Sequence, residues 1–352
     1  MANSDGIPCM WMRGGTSKGG FFLDSDLPSD SSARDALLLS IMGSPDARQI
    51  DGMGGADSLT SKVAIVSSST REGIDVEYLF LQISVRDSVV SDEQNCGNML
   101  AGVAPFAIER GLVKPRENKT HVTIFQRNSE QIAIASVVTP NNTVQYHGDA
   151  AIAGVPGTAA PVLLEFQDTA GSACGELLPT GSASDSVNGM DVTMIDNGMP
   201  CVVLEAEALG ITGTEDPLNL MNNAELRTRL EALRLACGPL MNLGDVTAKT
   251  VPKMVLVSKP LFGGTIHTRT FIPHKCHAAI GVLGAVSVAT ACVLKDSVAQ
   301  KISQQQQGSC QTLSIEHPSG ALAVVTTLND GEVSSAAVLR TANKLMDGVV
   351  FG

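Results

Sequence analysis

The most constraining stretch of this chain is Met99-Leu100-Ala101-Gly102-Val103-Ala104-Pro105-Phe106-Ala107-Ile108. It follows Asn95-Cys96-Gly97-Asn98 and is closed by Gly111. A helix of that composition is apolar all round and has no face to offer water, so other elements must enclose it. A second run, residues 278–294, is also rich in small apolar residues and follows Pro273-His274-Lys275-Cys276-His277. In each half, strand-like segments come first and then a cysteine at the start of such a helix. The expectation is an α+β fold of two similar β-barrel-like domains, each wrapped around one central helix. The two helix N-termini would then face a shared cleft holding the active site.

The remaining pattern fills in that frame. Strands are expected at 7–12, 21–23, 63–66, 75–85, 121–125, 131–138, 144–146 and 161–166, and in the second half at 192–195, 253–258, 265–272, 312–316, 321–327 and 332–340. Asp30-Ser31 can cap a helix over 32–42 that Gly43 ends. Leu226, Leu230, Leu233 and Cys237 recur at helical spacing over 225–237, and Gly238-Pro239 is expected to stop that helix. The Gly-, Ser- and Ala-rich segment 171–189 marks a domain boundary, giving domains 1–185 and 186–340, with a last strand in 341–352 returning to the first.

Only 3% of residues are aromatic against 43% hydrophobic, so aliphatic side chains must fill the cores. A net charge of −12 argues against nucleic acid or an anionic membrane surface as partner. An anionic ligand would need a local cluster of donors working against that field. The eight cysteines are scattered without a C-x-x-C pair. With no signal-like N-terminus and no run of membrane-spanning length, a cytoplasmic protein with reduced thiols is expected. A homo-oligomer is left open.

Three segments carry candidate chemistry. The free N–H groups and positive dipole end at Gly97 and Asn98 favour a Cys96 thiolate or a bound carboxylate. As a small core residue, however, Cys96 would need no chemistry at all. Lys62 stands where Asp51-Gly52-Met53-Gly54-Gly55 and Leu59-Thr60-Ser61 lead into an apolar strand. Pointing inward it is a usable base, and pointing outward an ordinary solvated lysine. The loop Arg13-Gly14-Gly15-Thr16-Ser17-Lys18-Gly19-Gly20 offers N–H groups, hydroxyls and cations that suit an anion, or it is simply a hairpin turn. His274, Cys276 and His277 lack the further ligands a metal site needs. Arg269 on an otherwise apolar strand calls for an anion.

Asn95-Cys96-Gly97-Asn98 in this arrangement resembles the diaminopimelate-epimerase-like fold. Met12–Gly19, 51–55, 59–63, Gly154-Val155-Pro156-Gly157-Thr158-Ala159 and 271–277 resemble the 2-methylaconitate cis–trans isomerase family over nearly the whole chain. The resemblance implies a cofactor-independent and metal-free isomerase that shifts a proton in an unsaturated tricarboxylate. Keto–enol tautomerisation of 4-oxalomesaconate comes first; allylic double-bond isomerisation of 4-oxalomesaconate or cis–trans isomerisation of 2-methylaconitate is the alternative, and a non-catalytic carboxylate-binding protein the alternative class. By position, Lys62 is the acid/base lysine and Cys96 the active-site cysteine. Arg13, Thr16, Ser17, Gly54, Gly55, Ser61, Gly97 and Asn98 are expected to bind one end of the substrate, and Arg269, His274 and His277 the other. The second helix lacks the Cys-Gly-Ser-Gly context of the epimerases, which counts against a two-thiol racemisation.

Overall fold

Both small-residue runs form helices surrounded by strands in the computed structural model, which describes residues 6–93, 95–304, 306–329 and 332–352. The chain divides into two units. One runs to Gln167 and is completed by Arg340–Gly352, and the other is Asp168–Leu339. The crossing comes before the expected boundary at 185/186. Asp196 explains why: its carboxylate accepts the N–H groups of Ala173 and Cys174, tying the start of the glycine-rich segment to the second unit.

The first unit contains β1 (Ile7–Gly14), β2 (Ser17–Leu23), α1 (Ser31–Met42), β3 (Lys62–Ser68), β4 (Val76–Ile83), β5 (Val90–Ser91), α2 (Gly97–Glu109), β6 (Asn118–Gln126), β7 (Gln131–Thr139) and β8 (Pro161–Phe166). The second contains β9 (Asp185–Val187), β10 (Met190–Asp196), β11 (Pro200–Glu205), α3 (Pro217–Asn222), α4 (Ala224–Leu240), β12 (Lys253–Ser258), β13 (Ile266–Ile272), β14 (Lys275–Cys276), α5 (Val282–Val293), α6 (Val298–Ile302), β15 (Cys310–His317) and β16 (Gly320–Asn329). The last strand, β17 (Glu332–Val350), is shared by connectivity. Its start pairs with β16, and its end returns antiparallel to β1 from Ala342 to Val350.

In the first unit β1, β2, β3, β4, β6, β7, β8 and β17 close into an eight-stranded barrel. Residues Met99 to Ile108 of α2 are all buried inside it. They pack on Met10, Met12, Phe21, Ala64, Val66 and Phe80. Each such Leu, Ile, Met or Phe contributes about 1.5–3 kcal/mol by leaving water. Strand alternation sends Cys9, Trp11, Phe22, Val63 and Ile65 to the outer face, where α1 covers them. Asp30 caps α1 by accepting from the Ala33 N–H, and Gly43 ends it at φ +74°.

The second unit repeats the first. From β1 to β8 the pairings run antiparallel, parallel, antiparallel, parallel, antiparallel, antiparallel. From β10 to β17, leaving out the short β14, the same sequence recurs. The long helices fall at matching points, α1 and α4 before the third strand and α2 and α5 after the fourth. Lys62 and Lys253 each begin the third strand, and Cys96 and Gly281 each cap the central helix.

Several sequence expectations are corrected. Most of Arg13–Gly20 is strand, because Gly14 pairs with Ser17 and only Gly15-Thr16 turn. Residues 144–146 form no strand. Helix α4 continues through Gly238 and Pro239 to Leu240. Helix α5 starts at Val282, so Cys276 lies on the short strand β14 and not on a helix turn. Among the described residues, no helix is long and apolar enough to cross a membrane.

Candidate active site

Lys62 opens β3 on the same face as Ala64 and Val66, which pack around α2. Its side chain is buried and only 7% exposed. The ammonium donates to Gln82 Oε1 at 2.5 Å and lies 4.9 Å from the centre of the Phe80 ring. Gln82 is fixed in turn, since its Nε2 donates to the backbone oxygens of Ser58, Ser61 and Ile83. Among the described residues, Lys62 has no carboxylate partner.

Cys96 is the N-cap of α2 and belongs to the same barrel-interior cluster as Phe80 and Ala64. Its side chain makes no capping bond, so the helix's first N–H groups, at Gly97 and Asn98, are left for an anion. Tyr78 donates to the Cys96 carbonyl at 3.5 Å. Burial pushes the Tyr78 hydroxyl well above its ordinary pKa, so it stays a neutral donor. The buried Arg340 interacts electrostatically with Cys96, and burial lowers its pKa to about 10. Sequence reading passed over Tyr78, Gln82 and Arg340, although a lone Arg after Ala336-Ala337-Val338-Leu339 was a legible signal.

The β1–β2 turn meets the first turn of α2. Asn98 Nδ2 donates to Thr16 Oγ1 at 3.0 Å. Gly15, at φ +51°, has no room for a Cβ, which would lie 2.2 Å from Asn98 Oδ1. Ser17 is 1% exposed and, among the described residues, its hydroxyl has no hydrogen-bond partner. A buried, unsatisfied hydroxyl is costly unless a ligand or water completes it.

Other expected substrate ligands are engaged elsewhere. Ser61 spends its hydroxyl on Gln49 Oε1 at 2.7 Å. Gly54 and Gly55 lie so close to Gln49 and Thr60 that packing alone requires glycine there. Arg13 lies on the face of β1 opposite Met10 and Met12, so alternation turns it away from the barrel interior. Burial lowers its pKa. In the second unit, Arg269 needs no substrate anion. It donates to the carbonyls of Thr214, Glu215 and Thr268 and meets His267 Nε2 at 2.5 Å. His274 is exposed, with Nδ1 3.6 Å from Glu231. His277 is exposed too, and partial burial with Lys253 and Lys275 nearby holds its pKa down.

Fold and site together define a class: an α+β protein of two units with the same order of strand pairings, the first a closed barrel that places a buried lysine and a helix-capping cysteine on its interior face. The PrpF protein family matches residues 5–352, and the chain belongs to that family. It is 63% identical to the (4E)-oxalomesaconate Delta-isomerase of Novosphingobium sp. strain KA1, across 99% of this chain and 98% of that one. It is 56% identical to the 4-oxalomesaconate tautomerase of Pseudomonas putida, across 98% and 95%. The crystal structure of a methylitaconate-delta-isomerase superposes with a TM-score of 0.86 at 37% identity, across 98% of this chain and 95% of that one. The chain is an isomerase.

Proposed function

We propose that this isomerase moves a proton on 4-oxalomesaconate, taking the keto form to the enol through a dienolate. The observation that carries the reading is Lys62, a buried lysine with an amide partner and, among the described residues, no carboxylate partner, on the barrel face that also carries Cys96. The substrate's CH₂ lies between a ketone and a conjugated alkene, so the carbanion left by deprotonation spreads over both. Lys62 in its amine form takes that proton. The N–H groups of Gly97 and Asn98, the dipole of α2 and the Ser17 hydroxyl stabilise the negative charge on carboxylate or enolate oxygen. Protonation of the enolate oxygen completes the tautomerisation, and the substrate's own delocalisation replaces a cofactor. The two relatives named for 4-oxalomesaconate, at 63% and 56% identity, support the choice of substrate.

The repeat supports chemistry run from one thiol, because the second unit has Gly281 where the first has Cys96. A second reading, an allylic shift, is favoured by the Cys96 side chain standing outside the capping bonds. A thiol there can return the proton to the far alkene carbon of the same dienolate. Turnover of 4-oxalomesaconate and 2-methylaconitate in D₂O, followed by proton NMR, tests both. An enol product with no deuterium at the far alkene carbon supports tautomerisation, and deuterium at the far alkene carbon supports the allylic shift. Turnover of 2-methylaconitate alone sinks both.

A further inference from the structure

The motif Gly154-Val155-Pro156-Gly157-Thr158-Ala159 takes no part in the chemistry above, yet it walls a cavity within the first unit. The cavity measures about 140 Å³, and its polar lining comes from Arg13, Tyr146, His147, Thr158, Thr341 and Asn343. A water needs only about 10–15 Å³ of such space, so there is room for several waters or one small polyatomic ion. Among the described residues no Asp or Glu lines it, in a chain whose net charge is −12. Arg13 commits a single nitrogen, Nη1, to the protein, donating to Gly15 O at 2.9 Å and to Thr341 O and Oγ1 at 3.1 and 2.9 Å. Among the described residues, its Nε and Nη2 have no acceptor and it forms no ion pair. A half-buried guanidinium with that much donor capacity unspent is matched by the two oxygens of a carboxylate or phosphate.

We propose that this cavity is an anion site for a small oxyanion, a carboxylate or phosphate group, held by Arg13 with Thr158 and Asn343 around it. It is separate from the Lys62 face, because Arg13 and Lys62 lie on opposite faces of their barrel strands. The β1–β2 hairpin connects the two places. Gly15 N–H donates to Thr341 O, Thr16 holds Asn98, and Gly154 lies against the Thr16 methyl group. The occupant is a free ion, not the substrate held at the Lys62 face.

Calorimetric titration with inorganic phosphate and with oxalate tests the site on the native protein and on Lys62→Met, Arg13→Gln, Thr158→Val and Asn343→Leu. The native protein and Lys62→Met should bind alike, while Arg13→Gln weakens binding at least about tenfold, the scale of one lost charge-assisted hydrogen bond. Equal binding by Arg13→Gln, or loss of binding in Lys62→Met, overturns the proposal. Should Arg13→Gln not fold, Thr158→Val and Asn343→Leu decide instead: weaker binding in either supports the site, and unchanged binding in both overturns it. In turnover assays, phosphate that raises KM alone, with the rise lost in Arg13→Gln, overturns the separation of this site from the Lys62 face. Phosphate that leaves KM unchanged, although calorimetry shows it bound, marks a free-ion site. Binding is read without turnover, so its failure leaves the catalytic reading standing.

Discussion

Lys62 and Gln82 face one another across β3 and β4, paired in register and joined by a 2.5 Å hydrogen bond from ammonium to amide oxygen. The amide holds the lysine in place without neutralising it, since Gln82 is itself pinned by three backbone carbonyls. Lys62→Met should therefore lower kcat by at least about two orders of magnitude, the usual scale for losing a general base. Its thermal unfolding midpoint should stay close to the native value. Full activity in that variant removes the assignment.

Gln82→Leu separates positioning from chemistry. With the amide gone the amine remains but is no longer aimed, and a misplacement of this kind costs about one to two orders of magnitude in rate. Steady-state kinetics should show the loss mainly in kcat. A change confined to KM would show that Gln82 touches substrate and does not orient Lys62.

Cys96→Ser should fold and bind tricarboxylates, because the cap position tolerates serine well. Turnover should drop, most sharply for any product carrying deuterium at the far alkene carbon. A large fall in the unfolding midpoint would instead make Cys96 a packing residue.

The repeat predicts contrasting glycine substitutions. A Cβ at Gly281 meets nothing within 4 Å, so Gly281→Ala should change stability by less than about 1 kcal/mol. A Cβ at Gly19 would lie 1.9 Å from the Lys62 carbonyl, and Gly19→Ala should cost about 2 kcal/mol or more while displacing the base. Chemical denaturation measures both, and equal stabilities would refute the close strand approach.

The buried pair His267 and Glu316 gives the second unit a pH dependence. Burial alone would raise the Glu316 carboxyl, but the N–H groups of Leu261, Gly264 and Phe262, with His267, outweigh it and hold the pKa down. Burial first, then Arg269, holds His267 below its ordinary value. Both groups bind more protons unfolded than folded, so stability is lost as pH falls. His267 begins the loss below its ordinary pKa of about 6.5, and Glu316 adds to it below about 4.3. Unfolding midpoints against pH should fall along that course, and Glu316→Gln should remove the more acidic part.

Much of this protein could be read from local pattern. The apolar circumference of 99–108 required an enclosed helix, Asp30 and Gly43 bounded α1, and β8 and β12 fall at the expected residues. Lys62 at a strand start and Cys96 before a helix were visible as candidates, because strand and helix periodicity are short-range properties. Which donors were already spent was not visible. Arg269 resembles an anion clamp until its guanidinium is seen on the carbonyls of Thr214 and Glu215, over fifty residues earlier. Ser61 resembles a substrate ligand until Gln49 takes its hydroxyl.

The sequence alone determined the class of fold, the helix that must be buried, and the two residues able to carry acid–base chemistry. Those follow from hydrophobic periodicity and side-chain type, which are written locally. Only the tertiary structure decided that Lys62 points inward, that Arg13 points outward into a cavity of its own, and that Gly281 replaces a second cysteine at the other central helix. Each depends on strand register and on partners remote in the chain, and a one-residue change of register exchanges the two faces of a strand.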